Sequence, residues 1–157
     1  MKDTRTWMVG AGLPILLLAA IQLVPYGRNR VPPPDGRMVT FDSPRTEDLA
    51  RRACFDCHSN RTRWPWYSSI APLSWRMQSH VDRARAVLNF TALDTSTKKR
   101  AAAPGRASDK VTKRIMPLGE YLYLRPEARL NHAERADLAR GLDTTFAAFP
   151  RGRGGRP

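Results

Sequence analysis

The pentapeptide Cys54-Phe55-Asp56-Cys57-His58 constrains this chain more than any other stretch of its 157 residues. Its two cysteines are the only ones present, so no disulfide framework is available to the fold. Two thiols three residues apart, followed at once by an imidazole, form the attachment sequence of a c-type haem. The sulfurs add to the vinyl groups, and the histidine becomes the proximal iron ligand. The motif therefore predicts one covalently attached haem c.

Two other uses of these thiols remain open. A Cys-x-x-Cys pair also serves thiol oxidoreductases, which place it in a βαβ context, but no convincing strand pattern precedes Cys54. Zinc could be held by Cys54, Cys57, His58 and a remote histidine, although adjacent residues make poor tetrahedral partners. Haem attachment is the favoured interpretation.

A nearly unbroken apolar run from Trp7 to Tyr26 precedes the motif. About 20 apolar residues span the ~30 Å hydrocarbon core of a bilayer as a helix, and terminal aromatic residues favour the interface. A cleaved signal peptide is the alternative, with Ala19-Ala20 as a weak cleavage site. We favour an uncleaved signal anchor, which predicts a cytoplasmic N-terminus at residues 1–6 and a transmembrane helix at 7–26.

Charge does not orient this anchor, because Lys2 and Arg5 lie on one side of it and Arg28 and Arg30 on the other. Covalent haem attachment in bacteria takes place outside the cytoplasmic membrane, so the haem motif decides the orientation. The expected location is the bacterial inner membrane, as a single-pass protein whose haem domain faces the periplasm.

The remaining chain is predicted to contain a spacer, one domain and a tail. Residues 27–43 include Pro32-Pro33-Pro34 and are predicted to form a semi-rigid, Pro-rich linker. Residues 44–149 are predicted to form the haem-binding domain. The Arg- and Gly-rich residues 150–157 are predicted to be a disordered basic tail.

Three helices are predicted within or next to that domain. The first opens with Ser43-Pro44, a cap followed by proline at the first helical position. The second runs from residues 72–74 to Leu88, with apolar side chains at helical spacing. The third opens with Asn131 and Glu134, which are spaced as in a capping box. The basic stretch between Thr91 and Arg114 is predicted to be a loop.

An aromatic run follows the pentapeptide between residues 64 and 75. Interleaved aromatic and basic residues can bind single-stranded nucleic acid by stacking and phosphate contact. Flat side chains beside a haem attachment site are better explained by packing on the apolar haem disc. We therefore predict no nucleic-acid partner, and haem contacts from four residues: Trp64, Trp66, Tyr67 and Trp75.

The sixth iron ligand is predicted to be Met116, which precedes a proline about sixty residues after the motif. A soft thioether binds low-spin iron and raises its potential. His80, on or beside the apolar face of the second helix, is the alternative, and His132 near an N-cap ranks last.

From about Thr46 to Phe146 the chain resembles the small haem-binding domain family that carries one Cys-x-x-Cys-His. The stretches that carry the resemblance are Cys54 to Asn60, Trp64 to Tyr67, Ile70 to Trp75, Leu88 to Phe90, Met116 to Leu118 and Pro126 to Leu130. The resemblance implies an all-α, cytochrome-c-like fold with covalent haem. It gives Cys54 and Cys57 as thioether donors and His58 as proximal ligand. Relatives often carry histidine where this chain has Arg125, and they can carry one at His80.

The net charge of +13 indicates an acidic partner. We expect an electron-transfer protein, either a tethered carrier that meets an acidic redox protein or a subunit of a larger membrane redox or photosynthetic complex. A haem peroxidase-like enzyme with an open or labile sixth position, and a haem-based sensor, are the alternatives. The sequence favours an electron-transfer protein over an enzyme.

Overall fold

The computed structural model describes residues 3–28, 30, 32–93 and 106–148, and for residues 3–11 the backbone alone. Within these residues the regular structure is helical and no strand occurs, which confirms the predicted all-α class. The chain divides into two compact units. The first comprises Met1–Val31 and Trp64–His80, and the second Pro32–Arg63 and Val81–Pro157.

Helix α1 of the first unit runs from Asp3 to Ile21, whereas the sequence predicted a transmembrane helix from Trp7 to Tyr26. The observed helix begins among charged residues and ends well before Tyr26. Its last turn tightens, with the Leu23 N–H donating to the Ala20 carbonyl at 3.0 Å. Among the described residues no helix is both long and apolar enough to cross a membrane, so the predicted transmembrane helix is not found.

The first unit also contains a 3₁₀ turn, Trp66–Ser69, and the first half of helix α4, Leu73–Val87. The Gln22 amide holds α1 to this segment, because it both donates to and accepts from the Ala71 backbone at 3.0 Å. Gly27 has a φ of +78°, and a Cβ there would lie 2.8 Å from the Ser74 carbonyl carbon. Only glycine allows this approach.

The second unit is built from the other helices. They are α2 (Pro44–Ala53), α3 (Phe55–His58), the second half of α4, α5 (Arg106–Thr112), α6 (Gly119–Leu124), a 3₁₀ turn (Pro126–Ala128) and α7 (His132–Ala148). Ser43 caps α2 by accepting from the Thr46 N–H at 3.2 Å. Asn131 and Glu134 form the predicted capping box, with two reciprocal bonds of 2.9 Å. The three predicted helices are confirmed.

Helix α5 was not predicted, because its residues lie in the stretch that was expected to be a loop. Its seven residues are held by tertiary contacts: Val111 is buried in the core, and the Ser108 hydroxyl donates to Asp143 of α7 at 2.6 Å. The loop prediction is therefore wrong for Arg106–Thr112. The rest of the basic loop, residues 94–105, and the predicted tail at 150–157 lie outside the described residues.

The core of the second unit is one apolar cluster in which Phe90 is central. The Phe90 ring stacks on Phe55 at 5.4 Å and on Phe146 at 6.3 Å between centroids. Helices α2 and α7 approach closely where Gly141 faces Thr46, since a Cβ on Gly141 would lie 2.6 Å from the Thr46 Cγ2. The cluster consists of Val39, Leu49, Ala50, Ala53, Phe55, Leu88, Phe90, Val111, Leu130, Leu138, Ala139, Leu142 and Phe146.

The segment expected to be a Pro-rich spacer contributes to this core. Val39 is buried, and its N–H donates to the Phe90 carbonyl at 2.9 Å. The Gly36 N–H donates to Thr91, and the Arg37 carbonyl accepts from Leu93, each at 2.9 Å. Residues 36–39 are therefore paired with residues 90–93 and are not a free spacer, because the apolar side chain of Val39 is better buried than exposed.

Candidate functional site

The pentapeptide begins where helix α2 ends. Cys54 follows Ala53 as the C-cap of α2 and precedes the single turn α3. The Cys54 carbonyl accepts from the Cys57 N–H at 3.1 Å and from the His58 N–H at 2.9 Å. Residues three and four positions apart on such a turn lie on the same face. The turn therefore presents both thiols and the imidazole together.

The imidazole of His58 is oriented by a backbone carbonyl. Its Nδ1 lies 3.0 Å from the Leu88 oxygen, and the His58 carbonyl accepts from the Phe90 N–H at 2.8 Å. A carbonyl only accepts, so Nδ1 carries the proton and Nε2 keeps its lone pair for a metal. Burial lowers the pKa of His58, against the opposing effect of the Leu88 and Ala84 carbonyls. The ring is thus neutral, as an iron ligand must be.

Both thiols are held in the protonated form. Burial is the main cause that raises the pKa of Cys54 to about 12 and that of Cys57 to about 11. Neither is in a disulfide. Redox-active cysteines have lowered pKa values, so these thiols do not fit a thiol oxidoreductase. Among the described residues, no group of three or more His, Cys, Asp or Glu side chains is arranged to hold a metal ion.

Asp56, inside the pentapeptide, is only 6% exposed and lies at the centre of a polar cluster. Its carboxylate accepts from the Tyr121 hydroxyl at 2.9 Å, from Arg63 Nε at 3.1 Å and from the Arg63 N–H at 3.2 Å. The Arg125 guanidinium lies 4.0 Å away. Burial is the main cause that raises the pKa of Tyr121. Sequence reasoning missed this cluster, although a carboxylate between two attachment cysteines was a visible signal.

The sequence profile of the haem-binding domain family matches residues 16–144. This chain belongs to the haem-binding domain family. No curated protein and no solved structure matches it. The site fits the cofactor that the family name states, because two thiols and an imidazole whose Nδ1 donates to a backbone carbonyl share one turn.

The haem-binding domain also fixes the residues that follow His58. The Asn60 N–H donates to the Thr91 hydroxyl at 2.8 Å, and its side-chain amide donates to the Pro34 carbonyl at 3.0 Å. The Asn60 side-chain oxygen accepts from Asn89 at 2.7 Å. Arg85 of α4 donates to the Ser59 carbonyl at 2.8 Å. These contacts, which sequence reasoning missed, hold the turn of the pentapeptide against the chain around Leu88.

Met116 lies in the same unit as the pentapeptide and is partly buried. Its N–H donates to the Lys110 carbonyl at 3.1 Å, and its carbonyl accepts from Arg135 at 3.1 Å. His132 is exposed at the start of α7, as expected. The role of Met116 as sixth ligand stays a prediction.

The other predicted haem contacts belong to the first unit: Trp64, Trp66, Tyr67, Trp75 and the alternative ligand His80. Trp66 is 79% exposed, and the Arg30 guanidinium lies 4.2 Å above the Trp64 ring. Trp75 Nε1 is buried and has no hydrogen-bond partner among the described residues. Their packing on haem stays a prediction.

Proposed function

We propose that this haem-binding domain is a c-type monohaem cytochrome that carries electrons. The observation that carries the proposal is the hydrogen bond from His58 Nδ1 to the Leu88 carbonyl. His58 lies on the same turn as Cys54 and Cys57, whose thiols have raised pKa values. The hydrogen bond fixes the tautomer in which Nε2 can ligate a metal, and the family match supports haem as the group that brings that metal. A bound haem supplies reversible one-electron chemistry at its iron.

The chain's own residues divide the work of holding this group. Cys54 and Cys57 would hold it as thioethers, and His58 would supply an imidazole ligand to the iron. Met116 would supply a thioether ligand, and Pro117 would restrict the backbone of Met116. A thioether ligand gives a higher potential than a second histidine would, so His80 in this role would predict a lower potential.

The proposed partner is an acidic redox protein, met either in solution or within a larger redox complex. The chain has 27 Lys and Arg against 14 Asp and Glu, and such an excess steers an acidic surface towards it. The proposed location is the periplasm, since covalent haem attachment takes place outside the cytoplasmic membrane.

The attachment is tested on purified protein by optical spectra of both oxidation states, a pyridine haemochrome assay and acid-acetone extraction. We expect haem to stay with the polypeptide after extraction and to be released from a Cys54→Ala/Cys57→Ala variant. Colourless protein, or haem fully extracted from the wild type, would contradict a c-type assignment. A high-spin resting spectrum that reacts with peroxide would support a peroxidase-like enzyme instead.

The sixth ligand is tested by Met116→Ala. We expect the variant to lose the weak red-edge absorption band of methionine-ligated ferric haem and to become high-spin, because alanine offers no ligand atom. Met38→Ala is the control, since Met38 is exposed and should leave the spectrum unchanged. An unchanged low-spin spectrum in Met116→Ala would exclude Met116 and direct attention to His80.

A further inference from the structure

The polar cluster around Asp56 joins two parts of the chain, the pentapeptide and the segment that follows Met116. A haem protein that uses both as ligands must keep their relative position constant. Asp56 lies between the attachment cysteines, one residue before Cys57. Tyr121, whose hydroxyl donates to Asp56 at 2.9 Å, lies on helix α6, which begins three residues after Met116. A single side-chain hydrogen bond therefore connects the attachment turn with the segment that carries the predicted sixth ligand.

The same segment is fixed at its other end by backbone contacts. The Met116 N–H donates to the Lys110 carbonyl, and Arg135 of α7 donates to the Met116 carbonyl, both at 3.1 Å. Between these contacts and Tyr121 lie only Pro117, whose φ is restricted, and three further residues. The segment from Met116 to Tyr121 is thus held at both ends. Lys110 and Arg135 hold it at Met116, and Asp56 holds it at Tyr121.

Arg63 and Arg125 keep the Asp56 carboxylate in place. Arg63 donates to it through both its backbone and its guanidinium, and Arg125 donates to the Arg63 carbonyl at 3.1 Å. These contacts leave Asp56 little freedom to follow Tyr121 if α6 moves. The Asp56 carboxylate is therefore held in place by arginines, and it in turn holds the Tyr121 hydroxyl.

We propose that Tyr121 is a positioning residue for the sixth iron ligand, acting through its hydrogen bond to Asp56 to hold Met116 against displacement. This inference rests on the proposed function, in particular on Met116 as ligand. Tyr121 touches neither the ligand atom nor the iron in this assignment. It restricts the loop whose movement would let another ligand replace the thioether.

Tyr121→Phe in the haem-loaded protein tests the inference, with added imidazole as the competing ligand. The net value of a hydrogen bond to a charged group corresponds to roughly tenfold or more in an equilibrium constant. We expect roughly tenfold tighter imidazole binding to the ferric protein, followed by optical titration. Tyr123→Phe is the matched control on the same helix, because Tyr123 is 82% exposed, and it should leave the affinity unchanged.

A second pair of variants separates positioning from general loss of stability. Thr145→Val removes contacts between Thr145 and Asp42 elsewhere in the same unit and should lower thermal stability without tightening imidazole binding. In an Asp56→Asn background, Tyr121→Phe should tighten imidazole binding much less than it does in the wild type, because both substitutions weaken the same hydrogen bond.

The outcomes distinguish this inference from the proposed function. If Met116→Ala removes the methionine band but Tyr121→Phe binds imidazole like the wild type, the positioning role is wrong and the cytochrome assignment stands. Equal tightening in Thr145→Val and Tyr121→Phe would also overturn the positioning role. If Met116→Ala changes nothing, the ligand assignment itself has failed.

Discussion

Among single residues, His58 shows how the candidate site depends on backbone groups far along the chain. The acceptor for its Nδ1 is the Leu88 carbonyl, 30 positions further along the chain, and the Phe90 N–H donates to the His58 carbonyl. Both partners are main-chain groups, so substitutions of their side chains act on the imidazole only by moving the backbone. Leu88 and Phe90 are themselves buried in the core, which keeps that backbone in place.

Arg114 gives a prediction at the same scale. Its φ is +58°, in the left-handed region, where the chain turns from α5 towards Met116. A residue with a Cβ costs roughly 1–2 kcal/mol in this conformation, which glycine avoids. We expect Arg114→Gly to raise the free energy of unfolding by roughly 1 kcal/mol, measured by chemical denaturation of the haem-loaded protein.

The matched control is Arg114→Ala, which removes the same charge and keeps the Cβ. If both variants gain equal stability, the gain comes from the lost guanidinium and not from the backbone. The pKa of Arg135 is lowered first by burial and then by the charge of Arg114.

The placement of Cys54, Cys57 and His58 on one turn could be predicted from the sequence, because their spacing is readable within five residues. The contact between Asp56 and Tyr121 could not, since it joins residues 65 positions apart that only tertiary packing brings together. Arg114 was equally hidden, because no local rule places an arginine in a left-handed conformation.

At the scale of elements, helices with local signals were predictable and those without were not. Ser43-Pro44 and the pair of Asn131 and Glu134 are caps whose bonds lie within three residues, so α2 and α7 follow from the sequence. Helix α5 has too few residues for a periodic pattern and depends on Val111 burial and Asp143. The stretch around Val39 was predicted to be part of a spacer because three consecutive prolines, residues 32–34, precede it closely.

Glu134 predicts a pH dependence at the start of α7. Its pKa is lowered from 4.5, first by the hydrogen bond from Arg52 and then by the backbone N–H of Asn131. A lowered pKa gives stability that is present above pH 4.5 and lost as the pH falls through the folded-state value. We expect Glu134→Gln to melt at a lower temperature than the wild type at neutral pH, with a difference that shrinks below pH 4.5.

Thermal melts of the haem-loaded proteins across this pH range measure the effect. Asp48→Asn is the control, because it removes an exposed carboxylate from α2 and should leave the melting temperature unchanged at neutral pH. A difference between Glu134→Gln and wild type that is constant with pH would contradict the assigned role of the Glu134 charge.

For the whole molecule, charge is the property that the sequence states most directly. With 27 basic and 14 acidic side chains, the basic residues outnumber the acidic ones by 13, even though local pairs such as Arg52 with Glu134 form at 2.5 Å. A net positive charge therefore remains after the ion pairs are counted. This charge makes association with a charged partner depend on ionic strength.

We expect electron exchange with an anionic reagent to slow by roughly tenfold or more as ionic strength rises from ~0.01 to ~1 M, because the Debye length falls from ~30 to ~3 Å. Stopped-flow absorbance of the haem bands measures the rate. A cationic reagent of similar potential is the control and should show the opposite salt dependence. Equal slopes for the two reagents would contradict electrostatic steering.

In the proposed c-type cytochrome, the contact between His58 and Leu88 would set an order of events in biosynthesis. A nascent chain that has emerged only as far as the pentapeptide carries every group needed for covalent attachment, but it lacks the acceptor that orients the imidazole. Folding raises the pKa of the Cys54 thiol to about 12, which makes its reactive thiolate form rarer. If the haem is attached covalently, as proposed, we expect attachment before folding raises the thiol pKa, and iron ligation after His58 has formed its hydrogen bonds with Leu88 and Phe90.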